Sequence, residues 1–268
     1  MPPVPRRNRC SDPMQLAPGA AGVALIACDT VGSTNEEALR RARAGETGPL
    51  WITARAQTAG RGRRGRAWVS APGNLFATLL LTDPASPERA AQLSFVAALA
   101  VHDAIVALAP ALAPRLTLKW PNDVLCAGAK LAGILIEAEG TRPLIAAVGI
   151  GVNCRHHPAE SEFPATDLAA AGAAVTAEAL FEALSAAMAR RLREWQGGFA
   201  ATRAAWLDRA GTLGGELKVR LAGRELLGRF ETLDEAGRLV LRRPDGGRET
   251  IAAGEVFPVA PGTSAMGR

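Results

Sequence analysis

The sequence predicts an α+β protein, and two features of its patterning say so. Over most of the chain, strands and helices interleave without the regular strand–helix–strand rhythm of a doubly wound sheet. Past Gly211-Thr212-Leu213-Gly214-Gly215 the helical periods vanish, and short alternating strands separated by turns suggest a small β-barrel or sandwich. The expected organisation is a flexible tail over 1–22, a large region over 23–212 and a small β region over 213–268. With 268 residues, 48% apolar and 21% charged, the chain can bury a substantial core.

Residues 23–28 read as a strand. Ser33 followed by Glu36 has capping-box spacing: the Ser33 hydroxyl accepts from the Glu36 amide and Glu36 reaches back, so a helix starts there. Gly45 suits the left-handed cap that ends it. Residues 50–55 lean towards β, 57–73 form a polar glycine-rich stretch, and 74–82 resume as a strand. Ser86-Pro87 pairs a cap with proline at the first helical position, ahead of a long apolar helix over about 90–108. Strands follow over 116–120, 131–137 and 144–153, with turns at Pro121-Asn122-Asp123 and Gly128. A helix over 177–195 carries Leu180, Leu184, Met188 and Leu192 on one stripe, and another spans about 199–209. Strands at 217–221, 226–232, 239–242 and 249–252 complete the reading.

Composition excludes several classes. No apolar run approaches the roughly 20 residues of a membrane-spanning helix, and residues 1–22 lack the apolar centre of a secretory leader. Cys10, Cys28, Cys126 and Cys154 show no CxxC spacing, so neither a zinc site nor a disulfide framework is expected and a reducing cytoplasm fits. His102, His156 and His157 have no ligand spacing and receive no role. The net charge is +5, with one dense basic cluster at 60–66, so positive charge marks a site rather than a whole surface.

That cluster, Gly60-Arg61-Gly62-Arg63-Arg64-Gly65, matches the dinucleotide fingerprint GxGxxG, with Asp83 near the place of a ribose-binding acid. The fingerprint needs a helix to start at the loop, and Pro72-Gly73-Asn74 leaves no room for one. No Gly-Lys-Ser/Thr follows, which excludes a P-loop. What remains is a flexible loop bearing Arg61, Arg63, Arg64 and Arg66, whose mutual repulsion keeps it mobile until a polyanion orders it. A solvated arginine turn or an RNA-binding patch has the same composition. Lys119-Trp120-Pro121-Asn122-Asp123 adds an amide and a carboxylate at a strand tip, and Lys130 opens the apolar run Leu131-Ala132-Gly133-Ile134-Leu135-Ile136-Glu137. An ammonium there can face an anion in a partly dry cleft, where it counts for more than in water.

Five stretches together resemble the biotin–protein ligases, in the family's order and near its spacings. They are Gly32-Ser33-Thr34-Asn35; Gln57 through Arg66-Ala67-Trp68; Lys119-Trp120-Pro121-Asn122-Asp123; Lys130-Leu131-Ala132-Gly133-Ile134-Leu135; and Gly149-Ile150-Gly151-Val152-Asn153. The resemblance implies a class II synthetase-like catalytic domain, with a mixed or antiparallel sheet packed with helices, and an SH3-like β-barrel at the C-terminus. It also implies an ATP-dependent ligase that makes biotinyl-5'-AMP and passes biotin to a lysine of a biotin carboxyl carrier protein domain, with Mg²⁺ accompanying ATP and no metal fixed by the protein. By resemblance, biotin is bound by Ser33, Thr34, Asn35, Gln57, Gly60, Arg61, Gly62, Arg63 and Lys130, and ATP by Arg64, Arg66, Trp68, Asn122 and Asn153. Lys130, Arg63 and Asp123 would be the catalytic residues, Asp123 receiving the acceptor lysine. Some relatives carry an N-terminal DNA-binding domain of roughly 60 residues; the short segment before the first strand leads us to expect no DNA partner and no membrane, with monomer or homodimer both open. The rivals are a lipoate or octanoate ligase, and a nucleic-acid-binding module that uses the arginine loop.

Overall fold

The computed structural model describes residues 22–259 together with a two-residue strand, β1 (Met14–Gln15). The expected tail otherwise lies outside the described residues. The first sheet is built from β2 (Ala24–Val31), β3 (Leu50–Gln57), β4 (Leu75–Thr82), β5 (Leu116–Lys119), β6 (Asp123–Cys126), β7 (Ala129–Glu139) and β8 (Ile145–Val152), in the order β1-β2-β3-β4-β8-β7-β6-β5. It is mixed: β2 and β3 run parallel and every other neighbouring pair is antiparallel.

Helices cover both faces, and the alternation of side chains in the central strands shows it. Leu79, Leu81, Ala146, Val148 and Ile150 enter the large core beneath α3 (Leu93–Leu108), α4 (Ala177–Gln196) and α5 (Phe199–Leu207), whereas Leu80 and Ala147 pack beneath α1 (Thr34–Arg43). β4 is therefore buried along almost its whole length, as a strand with two covered faces must be. The run Pro87–Leu108 corrects one expectation. Its 22 residues are long and apolar enough to cross a membrane, but 72% of the apolar window is buried inside the fold, so it serves as a core helix. It is also broken into α2 (Pro87–Ala90) and α3.

Two further readings change. Ser33 does precede α1, but its side chain makes no capping hydrogen bond. The turn at Pro121-Asn122-Asp123 leads directly into β6, whose Val124-Leu125-Cys126 lies between that turn and the one at Gly128 and shows no period-two alternation. Cys126 and Cys154 are buried free thiols, Cys154 pushed up to about 11 by burial. Cys28 is disulfide-bonded, against the expectation of a reduced thiol.

The second sheet contains β9 (Glu216–Arg220), β10 (Glu225–Leu233), β11 (Leu239–Arg242), β12 (Arg248–Ile251) and β13 (Glu255–Pro258), all antiparallel, in the order β12-β11-β10-β9-β13. Four strands were legible; β13 was not. Leu217, Val219, Phe230 and Leu241 join the same apolar cluster as α3 and α5. Gly237 carries a φ of +84°, and a Cβ there would lie 2.7 Å from the Phe95 ring, so only glycine lets this turn approach α3.

Candidate active site

Strands β7 and β8 build the floor. In Gly149-Ile150-Gly151-Val152 the apolar side chains point into the core, so both glycines fall on the opposite face, as does Gly133, which pairs with Gly151. Side chains from elsewhere fill the space that these glycines leave. A Cβ on Gly149 would stand 2.3 Å from Asn35 Oδ1, one on Gly151 2.6 Å from the Trp68 ring, and one on Gly133 3.0 Å from Trp68 and 3.3 Å from Lys130. The result is a cavity of about 410 Å³, a size suited to a small organic ligand.

One end is neutral and polar. Ser33, Thr34 and Asn35 enter from the start of α1 and are almost fully buried. The Thr34 amide donates to Gln57 Oε1 at 2.8 Å, and Gln57 Nε2 donates to Ser70 Oγ at 2.9 Å. The Thr78 hydroxyl, from β4, lies 2.8 Å from Thr34 Oγ1 and 2.7 Å from Asn35 Oδ1. The other end is cationic. Lys130 Nζ sits 2.6 Å from Asp123 Oδ1, as a close ion pair rather than an aligned hydrogen bond, and 5.5 Å from the centre of the Trp68 ring. Trp68 Nε1 is buried with no acceptor among the described residues.

The arginine loop corrects the expectation of repulsion. It folds back as a tight hairpin in which Gly62 N–H donates to the Arg66 carbonyl at 2.7 Å and Trp68 N–H to the Gly60 carbonyl at 2.9 Å. Arg64 and Gly65 both adopt positive φ at its tip. Carboxylates from three directions offset the cations. Arg61 meets Glu137 at 3.1 Å and Glu36 at 3.6 Å, Arg64 meets Glu255 at 3.2 Å, and Arg66 lies against both Glu255 and Glu162. Arg63 differs. Among the described residues it has no carboxylate within ion-pair distance, and only long contacts to Asn122 Oδ1 (3.4 Å) and the Gly254 carbonyl (3.5 Å). Burial first, and then the neighbouring Arg64, push its pKa down, so the folded chain holds a cation short of a partner.

The cavity lining includes Ser33, Thr34, Asn35, Gln57, Arg61, Gly62, Arg63, Arg66, Trp68, Asn122, Asp123, Lys130 and Asn153, gathered from all five sequence stretches. Two expected site residues stand apart from it. Gly60 packs against Ser70 and Gln57, where a Cβ would come within 2.4 Å of Ser70 Oγ, and Arg64 turns away towards Glu255. Asn122 donates to the Ile134 carbonyl and Asn153 to the Thr166 carbonyl, so both amides are anchored by backbone.

Sequence reasoning missed Thr78, Glu137, Glu255 and the segment carrying Glu162 and Phe163. Thr78 had a signal: a hydroxyl amid the apolar residues of β4 must find a partner. Lys119, quoted but given no role, is 7% exposed, with Nζ 3.6 Å above the Phe163 ring; burial lowers its pKa.

A cavity with a neutral hydrogen-bonding end and a cationic end suits the activation of a small carboxylic acid by a phosphate ester. Residues 29–153 match the Biotin/lipoate A/B protein ligase family, and residues 212–257 match the Biotin protein ligase C terminal domain. The chain is 46% identical over 238 residues to biotin–[acetyl-CoA-carboxylase] ligase of Paracoccus denitrificans, covering 84% of this chain and 96% of that one. It is 35% identical over 231 residues to the ligase of the same name from Mycobacterium tuberculosis, covering 84% and 85%. The solved biotin protein ligase of Aquifex aeolicus in complex with biotin and ATP has a TM-score of 0.74 at 28% identity, over 88% of this chain and 98% of that one. The chain belongs to the biotin protein ligase family.

Proposed function

We infer that the chain activates biotin with ATP and then passes biotin to a lysine of a biotin carboxyl carrier protein domain. The observation that carries this reading is the two-ended cavity. Gly149, beside Asn35, and Gly151, beneath Trp68, are two residues apart on β8, a separation of about 7 Å. A ligand with a polar ring and a carboxylate tail spans such a gap. The ring of biotin presents two N–H groups and a carbonyl that need partners once buried. Lipoate presents a dithiolane with neither, so it would offer no hydrogen bond to the polar end.

In the first step a carboxylate oxygen of biotin attacks the α-phosphorus of ATP, and the bond to pyrophosphate breaks. Two anions must meet, so Lys130 and Arg63 stabilise the charge shared between carboxylate and phosphate. Arg63 suits this role because its guanidinium is already desolvated and short of a partner. Arg66, Trp68, Asn122 and Asn153 surround the nucleotide. The closed loop excludes water from the mixed anhydride. In the second step the acceptor amine attacks the acyl carbon, AMP leaves, and Asp123 takes the proton once Lys130 has turned towards the phosphate.

Among the described residues no group of three or more side chains could hold a metal ion. Magnesium arriving with ATP would keep several waters and bind mainly through the substrate phosphates. Bound there, it spreads the triphosphate charge. The catalytic domain over 23–212 and the small β domain over 213–268 remain the division we favour, supported by the second sheet's start at Glu216. ATP and a carrier domain as substrates favour a cytoplasmic location.

The test is ATP–pyrophosphate exchange with Mg²⁺ and biotin, lipoate, octanoate or no acid, followed by transfer to a carrier domain. Exchange that depends on biotin is the expected result. Exchange with lipoate or octanoate instead would reassign the polar end of the cavity.

A further inference from the structure

Asn35 sits where a ligand ring would lie, yet its amide is nearly saturated by the protein. Nδ2 donates to the Leu135 carbonyl at 3.2 Å and to Glu137 Oε2 at 2.8 Å. Both partners are obligate acceptors, so the amide cannot be turned over without opposing oxygen to oxygen. Both amide hydrogens are then committed. Oδ1 takes the Thr78 hydroxyl at 2.7 Å and keeps one lone pair. Asn35 can therefore accept a hydrogen bond from a ligand and cannot donate one.

Glu137 has a second occupation. Its carboxylate accepts from Arg61 Nε at 3.1 Å and from Arg61 Nη2 at 3.3 Å. One carboxylate at the end of an apolar strand thus touches both the polar end of the cavity and the first arginine of the loop. Oε2 takes both Asn35 Nδ2 and Arg61 Nη2 while Oε1 takes Arg61 Nε, so both oxygens are needed as acceptors, and a carboxamide has only one.

We propose that Glu137 is a positioning residue that fixes the polarity of Asn35, so that this side chain receives a ring N–H of biotin, and that through Arg61 it ties ring recognition to closure of the loop. The proposal rests on the reading of the cavity as a biotin site. It assigns a specificity role to a residue that need not touch the substrate: a ring lacking an N–H at that point meets an oxygen with nothing to accept.

The test compares Glu137→Gln with Asn35→Ala and with the double variant Glu137→Gln/Asn35→Ala. A glutamine carries an NH2 in place of one oxygen, so it turns a donor either to Arg61 Nε or to Asn35 Nδ2 and Arg61 Nη2, and a pairing is lost in either orientation. Biotin KM should rise roughly tenfold, as for a lost hydrogen bond to a charged group, and free adenylate should escape faster, while ATP KM stays unchanged. In the double variant Asn35 is no longer there to be positioned, so Glu137→Gln should add nothing further to the biotin KM of Asn35→Ala. Thermal unfolding of each variant identifies any loss of fold. An unchanged biotin KM in Glu137→Gln would overturn the proposal, as would a rise in biotin KM that adds in full to that of Asn35→Ala. Failure of the cavity reading itself looks different: Asn35→Ala would then also leave biotin KM unmoved.

Discussion

The two faces of β7 and β8 are made by alternating residues of the same strands and do opposite work. On the core face Ile134, Val148, Ile150 and Val152 are buried at 2% exposure or less and close against α3. On the other face Gly133, Gly149 and Gly151 leave room into which Lys130, Trp68 and Asn35 reach. One face gains stability by filling space, and the other gains function by leaving space that charged and polar groups then use. Changes on the core face should therefore lower stability and spare chemistry, and changes on the site face should do the reverse.

The largest expected effect is on the site face. Lys130→Ala removes the cation between Asp123 and Trp68, so biotin-dependent pyrophosphate exchange should fall on the order of 10²–10³-fold with little change in melting temperature. Normal exchange would remove Lys130 from the reaction. Gly151→Ala places a methyl 2.6 Å from the Trp68 ring; the indole must shift, and a displacement of about 1 Å can cost roughly 10²-fold in rate. Wild-type exchange with a folded protein would show that the floor need not be flat.

Arg63→Ala should release free adenylate roughly tenfold faster, the loss expected from one hydrogen bond to a charged group. An unchanged release rate, followed by trapping the intermediate, would sink that role. Ile150→Ala tests the core face: about 2–4 kcal/mol of stability should be lost, with exchange at low temperature near wild type. A rate collapse in folded protein would erase the contrast between the faces.

The smallest effect lies in α1, away from both faces. A hydrogen bond from Arg40 holds the Glu37 carboxyl below its ordinary value of 4.5. A depressed carboxyl adds stability above its unfolded value and loses it as pH falls through the folded one. Glu37→Gln should thus cost below about 1 kcal/mol at neutral pH. Its unfolding curve should merge with wild type in acid. A gap that persists at low pH would mean that packing, not charge, is what Glu37 contributes.

Legibility in the sequence followed the range of the interactions. The strands β2, β3, β4, β7 and β8, and helices α1, α3, α4 and α5, were readable because period and caps are local. β5, β11 and β12 are as short as β6 and β13 and were read, so length is not the reason. Val124-Leu125-Cys126 of β6 lies between two turn signals without alternation, and β13 ends on a proline, which demotes a strand reading. Ser33, Thr34, Asn35, Gln57, Lys130 and Asp123 were named from their motifs, and one cavity gathers them. Gly60 and Arg64 were named with them and stand behind it, since a motif does not say which way its members face.

The sequence by itself determined the α+β class, the change of pattern near residue 212 and the motifs that carry the family resemblance, all of which depend on residues close together in the chain. Only the tertiary structure decided how the arginine loop is held. Arg61 is paired from 76 residues away by Glu137, and Arg64 and Arg66 by Glu255 on the second sheet. Like charges in a row repel when read as a string; whether carboxylates from distant strands arrive to offset them depends on topology, and that is why, among the described residues, Arg63 alone of the loop's four arginines has no carboxylate within ion-pair distance.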